Sequence, residues 1–482
     1  MTTAHISERE AQAKAEIGHT TVGRGTAVGL VLAFCVIVLA GSLADGLTGR
    51  WAPAFSILSQ GPEAAVGAWE TQGFFAANRA LLAKMDAFEE ELEQESAVSG
   101  AVQRPFQWVL TAVGGAGNEQ VYVGRGGWLY FRPGFDLVTG PGFLDPARLE
   151  QRRRSGDSWE KAPEPDPIPA ILDLHRYLAE RGIQLIVLPA PTKASVHPRP
   201  LAPGLDPKAL PLHNPSYGHL LERLRVAGIR VVDPAPELVR AARETGVPQY
   251  LERDSHWRPE AVGRVAGRIR ETLCPPDPGS THRSTPTRNA MAGPVGADLC
   301  VRPGSFARRP SAASHPGDLA ALLRLPETHP IWPSQEVEIH QVLGPDGEIV
   351  EPDPASPVLL LGDSFTNVYS DASLGWGTGA GLAEQLSFEL GFAVDRIAFN
   401  AGGASATRRE LAARLARGER PLEGKRVVIY QFAARELAVG DWTRLEYEEG
   451  EAREAPSPRD EALTVEARVE AVAPVPDPAT TP

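Results

Sequence analysis

Cysteine is scarce in this sequence, and the motifs that bind zinc or perform thiol redox chemistry are missing. The 482 residues contain 3 cysteines, no CxxC pair and no HExxH run. We therefore predict no metal site and no cofactor. Cys274 and Cys300 lie on either side of a stretch rich in Pro and Ser. In an oxidising compartment they could pair as a disulfide, and two free thiols are an equal alternative.

The sequence also lacks a basic segment. Its formal net charge is -13, from 48 Lys and Arg against 61 Asp and Glu. Proteins that bind nucleic acid usually present a basic patch to the phosphates, so no nucleic-acid partner is predicted. Hydrophobic residues make up 42% of the chain, which is enough for a sizeable core, while 44 Pro and 47 Gly favour many loops over a long helical bundle.

One long apolar run is present near the N-terminus, at 26–47. It has no charged residue before Asp45 and is long enough to cross most of a bilayer as a helix. A cleaved signal peptide is the alternative, but the polar stretch that precedes the run, 1–25, is long for one. We therefore predict a retained single-pass anchor. Three basic residues precede it: Arg9, Lys14 and Arg24.

The basic residues before the anchor predict its orientation. Because positive charge favours the inner side, 1–25 is predicted to be a cytoplasmic tail. The rest of the chain would then lie outside the cytoplasm, held by one helix in the inner membrane. Residues 48–118 are predicted to be a juxtamembrane helical stalk, because apolar residues from Phe74 to Leu92 recur at helical spacing.

From residue 119 onward, short β-branched runs alternate with helical patterns that end in Gly. Two short strands around the glycine-rich turn 124–127 predict a hairpin. The alternation is typical of a parallel sheet covered by helices on both faces, so 119–446 is predicted to be one three-layer α/β domain. Segments 135–167 and 275–316 are rich in Pro, Arg, Ser and Gly and are predicted loop insertions. The acidic and Pro-rich tail 447–482 is predicted to be disordered.

The elements of the predicted sheet follow from these runs. The predicted strands are 183–188, 229–232, 358–361, 396–399 and 426–430. The predicted helices are 169–181, 217–227, 259–273, 379–390 and 408–417. Pro259 at the start of one of them suits the first turn of a helix.

The first catalytic candidate is Ser364, in the sequence Gly362-Asp-Ser364. A buried strand that ends in this tripeptide places the hydroxyl at the carboxyl edge of a parallel sheet, where open α/β sheets form their sites. The following helix could supply N–H groups to an oxyanion. Alone the signal is weak, since Asp and Ser after a strand are also common helix-capping residues.

The second candidate is the pair Asp254 and His256, two residues apart before a predicted helix. A serine hydroxyl needs a base to take its proton, and His supplies one. A carboxylate on the other imidazole nitrogen fixes the tautomer and stabilises the imidazolium. Each residue has a structural alternative, a helix cap for Asp254 and a hydrogen-bonded surface histidine for His256. Together with Ser364, the catalytic interpretation is favoured.

These motifs resemble those of a known family. Asp254-x-His-Trp257 followed by Gly362-Asp-Ser-Phe365 is similar to the signature of the alginate O-acetyltransferase family, in its J- and X-type proteins, which carry an SGNH-hydrolase-like domain. Other segments are similar to the opening Gly-Trp turn, the Pro-x-Lys loop, the helix–strand unit and the last strand of the family: 123–131, 187–198, 224–233 and 430–435. A single N-terminal anchor also suits the J-type members.

The resemblance implies roles for individual residues. Ser364 takes the role of nucleophile, His256 that of base, and Asp254 that of the acid that supports it. The motifs run in the reverse of the usual SGNH order, which is chemically harmless because geometry defines a triad. The Ser364 N–H is one predicted oxyanion donor and Asn400 another. No counterpart of the SGNH glycine block is recognisable.

Two basic residues each have two possible roles. Lys193 could hold an anionic sugar or cap a loop, and the sequence does not separate the two. Arg435 could line the site, although a structural salt bridge is favoured.

The resemblance also implies the reaction. We expect acetyl transfer to hydroxyls of an exported polysaccharide through an acetyl-serine intermediate, with a multipass membrane acyltransferase as donor. An esterase or deacetylase would use the same triad with water as acceptor. A polysaccharide-binding subunit with a vestigial triad is the third interpretation, and the intact Ser, His and Asp disfavour it.

Overall fold

The computed structural model of the chain describes these residues: 25–32, 34, 85, 102–155, 163–204, 211–274, 306–326 and 330–450. Most of the predicted anchor 26–47 and stalk 48–118 lies outside these ranges. The same holds for most of the predicted insertion 275–316 and for 451–482. Within the ranges, no helix is both long enough and apolar enough to span a bilayer.

The strands are short and number nine in the described ranges. They are β1 (Val121–Val123), β2 (Leu129–Phe131), β3 (Gln184–Ala190), β4 (Arg230–Val231), β5 (Ala307–His315), β6 (Gln335–Leu343), β7 (Val358–Gly362), β8 (Asp395–Ala398) and β9 (Val427–Ala433).

Helices connect and cover these strands. They are α1 (Arg104–Gly114), α2 (Arg132–Thr139), α3 (Pro146–Arg153), α4 (Pro167–Ala179), α5 (Lys193–Val196), α6 (Tyr217–Val226), α7 (Ala235–Thr245), α8 (Pro259–Leu273), α9 (Asp318–Leu322), α10 (Ser364–Asn367), α11 (Leu382–Leu390), α12 (Ala406–Ala416) and α13 (Glu436–Val439).

Five strands form a parallel sheet in the order β4-β3-β9-β7-β8. The side chains of β7 alternate between its two faces, as in any strand. Leu360 joins a core with Trp257 on one face, and Leu359 joins a core with Trp442 on the other. Helices therefore cover both faces, and the predicted α/β domain with a parallel sheet is confirmed.

The predicted hairpin near residue 124 is also present. β1 pairs antiparallel with β2 from Val121 opposite Phe131 to Val123 opposite Leu129. The turn between them needs glycine, because Gly126 has φ +68 and Gly127 has φ +80, a left-handed conformation that side chains disfavour.

A second hairpin was not predicted. β5 and β6 pair antiparallel over nine positions and add a two-stranded sheet beside the domain. In β6, buried Val337 and Ile339 alternate with exposed Glu336, Glu338 and His340, so the strand has a period of two there. β5 has mostly exposed polar side chains, and its pairing with β6 depends on backbone hydrogen bonds that no side-chain pattern reveals. The predicted insertion 275–316 therefore ends in a strand.

The predicted loop insertion 135–167 is wrong in part, because helices α2 and α3 occupy much of it. Asp145 caps α3 by accepting the Ala147 N–H at 2.9 Å, and Pro146 follows at the first helical position. Pro and Asp there are helix-start signals rather than loop signals. Helix α7 is a further element that the sequence analysis missed.

The predicted disordered tail 447–482 begins too early. Tyr447 stacks on Tyr177 of α4 with ring centroids 5.0 Å apart, and Glu449 forms an ion pair with Arg181 at 2.9 Å. Residues 447–450 therefore pack on the domain, while 451–482 are outside the described residues.

Candidate active site

Ser364 is the first residue of α10, just beyond the carboxyl end of β7. Gly362 makes the turn possible, because a Cβ at this position would lie 2.1 Å from Thr366 Oγ1. The turn therefore places the buried Ser364 at the edge of the sheet where the sequence predicted a site.

Asp363 braces the turn that carries Ser364. Its Oδ1 accepts hydrogen bonds from the Phe365 N–H at 2.9 Å and from Gln431 Nε2 at 2.8 Å. Its Oδ2 accepts the N–H of Ala433 at 2.6 Å. Asp363 therefore caps α10 and ties it to β9, and its carboxylate is not available to a histidine.

The acid–base pair lies on a tight turn that an antiparallel bridge between Tyr250 and Trp257 closes. Asp254 Oδ1 lies 2.7 Å from His256 Nδ1 and also accepts the His256 N–H at 3.0 Å. Both side chains are buried. One turn thus supplies the carboxylate and the imidazole, as predicted.

The second oxygen of Asp254 is equally well bonded. Oδ2 accepts the indole N–H of Trp376 at 2.9 Å and the N–H of Asp318 at 3.0 Å. Burial acts to raise the pKa of Asp254, but the charge and hydrogen bond of His256, with these other donors, hold that pKa below its usual range. Four donors therefore fix the carboxylate in its ionised form.

The contact with Asp254 also shifts the pKa of the His256 imidazole. Burial acts to lower the pKa of His256, and the Asp254 carboxylate outweighs burial, so that the pKa lies above the ordinary 6.5. The raised pKa makes the imidazole a stronger base.

His256 Nε2 is buried and lacks a hydrogen-bond partner among the described residues. The imidazole ring lies 4.9 Å from the ring of Phe365, the residue after Ser364. The indole of Trp257 donates to the Phe365 carbonyl at 3.0 Å. The structure therefore packs the Asp254–His256 turn against the helix that begins with Ser364, and leaves Nε2 able to accept a proton.

Lys193 ties two backbone segments together. Its buried Nζ donates to the carbonyl of Leu129 at 2.7 Å and to that of Glu252 at 3.1 Å. The ammonium also lies 5.5 Å from the centroid of the Tyr130 ring. Burial lowers the pKa of Lys193 to about 7, although Asp254 opposes this shift. Of the two predicted roles, the contacts favour the structural one.

Arg435 lines a narrow cleft of about 20 Å³ together with Ser255 and Phe365, which neighbour His256 and Ser364 in the sequence. Its guanidinium carbon is 5.2 Å from the ring centroid of Phe131 and 5.7 Å from that of Phe365. Its Nε is also 3.7 Å from a carboxylate oxygen of Glu436. The residue thus both lines the cleft and forms the predicted ion pair. Such a cleft holds about one water molecule, so it suits a small group rather than a sugar ring.

Asn400 follows β8 and contacts α10, the helix that begins with Ser364. Its Oδ1 accepts from Asn367 Nδ2 at 3.0 Å, and its Nδ2 donates to Asp371 Oδ2 at 2.7 Å. An amide nitrogen carries two hydrogens, so Asp371 leaves one of them for another acceptor.

One group of described residues has the spacing of metal ligands: single atoms of Asp254, His256 and Asp318 lie within 4.8 Å of one another. Each oxygen of Asp254 already accepts two hydrogen bonds, and the oxygens of Asp318 accept from Ser255 at 2.7 and 2.5 Å. The donors to Asp254 occupy the lone pairs that a cation would need from that carboxylate. We interpret the group as a hydrogen-bond network.

Three residues around the triad were missed by the sequence analysis: Trp376, Asp318 and Gln431. Trp376 and Asp318 bind Asp254 from 122 and 64 positions away along the chain. Gln431 binds Asp363 from 68 positions away. Local patterns carry no information on such pairings, so no signal in this sequence points to them.

Comparisons with solved structures give weak likenesses. The O-acetyltransferase domain of Pseudomonas putida AlgJ is 18% identical, with 66% of this chain and 92% of that chain covered and a TM-score of 0.45. Pseudomonas aeruginosa AlgX is 18% identical, with 66% and 65% covered and a TM-score of 0.40. Bacillus cereus PatB1 is 11% identical, with 68% and 99% covered and a TM-score of 0.33. None of the curated protein sequences matches this chain.

A family model gives the clearer result. Residues 121–295 match the model of the SGNH hydrolase-like domain of the acetyltransferase AlgX. The match contains Asp254 and His256 and ends before Ser364. It confirms the resemblance that the motifs predicted, to the J/X-type alginate O-acetyltransferase family.

Proposed function

We propose that this protein transfers acetyl groups to hydroxyls of an exported polysaccharide, through an acetyl ester on Ser364. The observation that carries the proposal is the buried Nε2 of His256, which has no hydrogen-bond partner among the described residues and lies on a turn that packs against the Ser364 helix. A serine needs such a base to act as a nucleophile. The match to an acetyltransferase domain supports acetyl as the group transferred. The family resemblance supports a polysaccharide acceptor, for which we propose alginate or a similar exopolysaccharide.

In the first half-reaction, Ser364 Oγ attacks the acetyl carbonyl carbon of the donor while His256 Nε2 takes the hydroxyl proton. The bond to the leaving group breaks, and the imidazolium gives its proton to that group. In the second half-reaction, a sugar hydroxyl attacks the acetyl-serine carbonyl and His256 takes the sugar proton. That proton returns to Ser364 Oγ as the serine ester bond breaks. Asp254 stabilises the imidazolium in both halves.

Two donors are proposed for the oxyanion. The Ser364 N–H begins α10 and so has no acceptor within that helix. Asn400 offers the amide hydrogen that Asp371 does not use. Groups of this kind act by stabilising charge that develops in the transition state.

The two cations receive different proposed roles. Lys193 positions the carbonyl of Glu252, two residues before Asp254, and so supports the catalytic turn. Arg435 is proposed to bind a carboxylate of a uronic-acid acceptor, a group small enough for the cleft, while the sugar ring stays outside it.

We propose that the domain lies outside the cytoplasm, anchored in the inner membrane by 26–47, and receives acetyl groups from a multipass membrane acyltransferase. Cys274 is disulfide-bonded, and its partner lies outside the described residues. A disulfide supports an oxidising compartment. Protease added to intact spheroplasts should digest residues 48–482. Complete protection there would contradict the proposed topology.

The acceptor distinguishes a transferase from an esterase. Full-length protein in detergent, given an activated acetyl ester, should release acetate slowly and transfer acetyl to a suitable oligosaccharide much faster. A transferase holds the sugar hydroxyl in position, and effective concentrations from such positioning can reach about 10⁵ M. Neutral and uronic-acid oligomers should be compared, with product identified by mass spectrometry.

Two serine-to-alanine variants test the nucleophile, one at Ser364 and a control at Ser155. Ser364→Ala should abolish transfer, while Ser155→Ala, at an exposed position after α3, should leave it unchanged. Transfer at the wild-type rate in Ser364→Ala would exclude this nucleophile. Fast acetate release with no acetylated oligomer would favour the deacetylase instead.

A further inference from the structure

Asp318 clamps the catalytic turn from a distant part of the chain. It begins α9, and its N–H donates to Asp254 Oδ2 at 3.0 Å. Its two carboxylate oxygens accept the N–H of Ser255 at 2.7 Å and the hydroxyl of Ser255 at 2.5 Å. Ser255 lies between the acid and the base of the triad. One residue therefore holds the turn at two consecutive positions.

The carboxylate of Asp318 also lies near the base itself. Its Oδ2 is 3.7 Å from His256 Nδ1, the nitrogen that Asp254 binds at 2.7 Å. This distance is too long for a hydrogen bond but short enough for two charges to interact. The Asp318 side chain is 37% exposed, so solvent weakens the interaction without removing it.

The segment that carries Asp318 is pressed onto the turn. Gly317 has φ +98, and a Cβ there would lie 2.2 Å from the carbonyl oxygen of Arg253. The N–H of Ala320 donates to the same carbonyl at 3.3 Å. Only glycine permits this close approach, so the contact depends on the residue type at position 317.

We propose that Asp318 is a positioning residue of the acetyl-transfer site, which fixes the Asp254–His256 turn and places a second negative charge beside the imidazolium that forms in each half-reaction. The inference rests on the proposed function. It assigns no new bond-making step, because Asp318 does not touch the reacting atoms. Its effect passes through His256.

Other charged groups also face His256 and its turn. Asp254 and Arg253 belong to the turn, Arg435 follows β9, and Lys193 lies near Asp254. Asp254 and Asp318 both raise the pKa of His256, and Arg435 lowers it. Removal of the Asp318 charge should therefore lower that pKa.

The test is Asp318→Asn in the full-length protein, which retains an oxygen for the Ser255 N–H and removes the charge. With an activated acetyl ester, kcat should fall roughly tenfold, on the order of one pKa unit of lost charge stabilisation. KM should change little. The acidic limb of the pH–rate profile should move to lower pH. Unchanged kcat and an unchanged limb in a folded, active protein would overturn the inference.

Two matched variants separate charge from structure. Asp318→Glu keeps the charge, so its acidic limb should stay at the wild-type pH even where kcat falls. Ser255→Ala removes the hydroxyl bond and keeps both carboxylates, so its limb should also stay. A limb displaced equally in Ser255→Ala and Asp318→Asn would mean that the turn, not the charge, sets the base.

The interaction between Asp318 and His256 can also be measured in the wild-type protein. With ¹⁵N-labelled histidine, the Nδ1 resonance of His256 should show a second inflection at the pH where Asp318 ionises, since the two groups interact. Its absence would overturn the inference. Wild-type protein with no activity and no acetyl-serine would instead contradict the proposed function, which keeps the two failures distinct.

Discussion

Replacement of Trp376 tests the role of the Asp254 carboxylate, because the indole of Trp376 donates its hydrogen bond to Asp254 and not to Ser364 or His256. Its side chain is fully buried, and its indole N–H donates to Asp254 Oδ2 at 2.9 Å. Trp376→Phe removes this donor and part of a ring. The variant should therefore lose both the stabilisation of the carboxylate and some packing.

Trp442 is a matched control on the other face of the sheet. It is also fully buried, and its indole N–H donates at 2.9 Å to the neutral carbonyl of Glu436. Trp442→Phe removes the same atoms without removing a hydrogen bond to a charged group. The ring also faces the Arg408 guanidinium, 5.6 Å from its centroid, and a Phe ring can keep that contact. Hydrogen bonds to charged groups contribute about 1.5–3 kcal/mol and neutral ones about 0.5–1.5 kcal/mol. We expect Trp376→Phe to lower the free energy of unfolding by about 1 kcal/mol more.

The pH dependence of this difference has a definite sign. Because the pKa of Asp254 in the folded protein is lowered, its contribution to stability is present above the unfolded pKa, near 3.8, and is lost as pH falls through the folded pKa. The indole donor contributes to that lowering. The excess loss in Trp376→Phe should be complete at neutral pH and should shrink in strong acid.

The assay is denaturant unfolding of the full-length variants, followed by circular dichroism at neutral and acidic pH. Trp376→Phe should also lower kcat for acetyl transfer, whereas Trp442→Phe should not. Equal losses of stability in the two variants, with the same pH dependence, would refute the claim that a charged Asp254 is held by this bond.

Two further predictions follow from the turn. The acetyl-transfer rate should fall in acid with an apparent pKa above 6.5, because His256 must be neutral to act as base and its pKa is raised; a limb centred below 6.5 would contradict this assignment. Gly317→Ala should reduce activity strongly, because its Cβ would clash with the Arg253 carbonyl; Gly182→Ala has a similar left-handed φ with nothing within 4 Å, and activity lost equally in both would exclude the clash as the cause.

The sheet could be predicted because its strands carry their own signal. Each residue of β7 and β9 is buried, and Gln431 in β9 is the one polar side chain that interrupts these apolar runs. Helix α8 has the predicted bounds, since Pro259 begins it and apolar residues follow at helical spacing. By contrast, β5 depends on its partner strand, and its exposed side chains predict a loop.

The site shows the same division. Ser364, His256 and Asp254 lie in short motifs whose chemistry can be recognised from residue types. The groups that hold them, Trp376 and Asp318, come from segments with no pattern of their own. Asp363 illustrates a further limit: its sequence position suggests an acid beside the nucleophile, and only the structure reveals that its carboxylate is bonded to Gln431 and to backbone N–H groups.

Peptide mass spectrometry can detect the acetyl group that we propose on Ser364. Full-length protein would be mixed with an activated acetyl ester, quenched in acid within the first turnover and digested. We expect one added acetyl group on the peptide that contains Ser364. Ser364→Ala should lack it, and it should disappear when an acceptor oligosaccharide is added before the quench. Acetylation of a different residue, or an unmodified Ser364 peptide while acetyl transfer proceeds, would contradict the account.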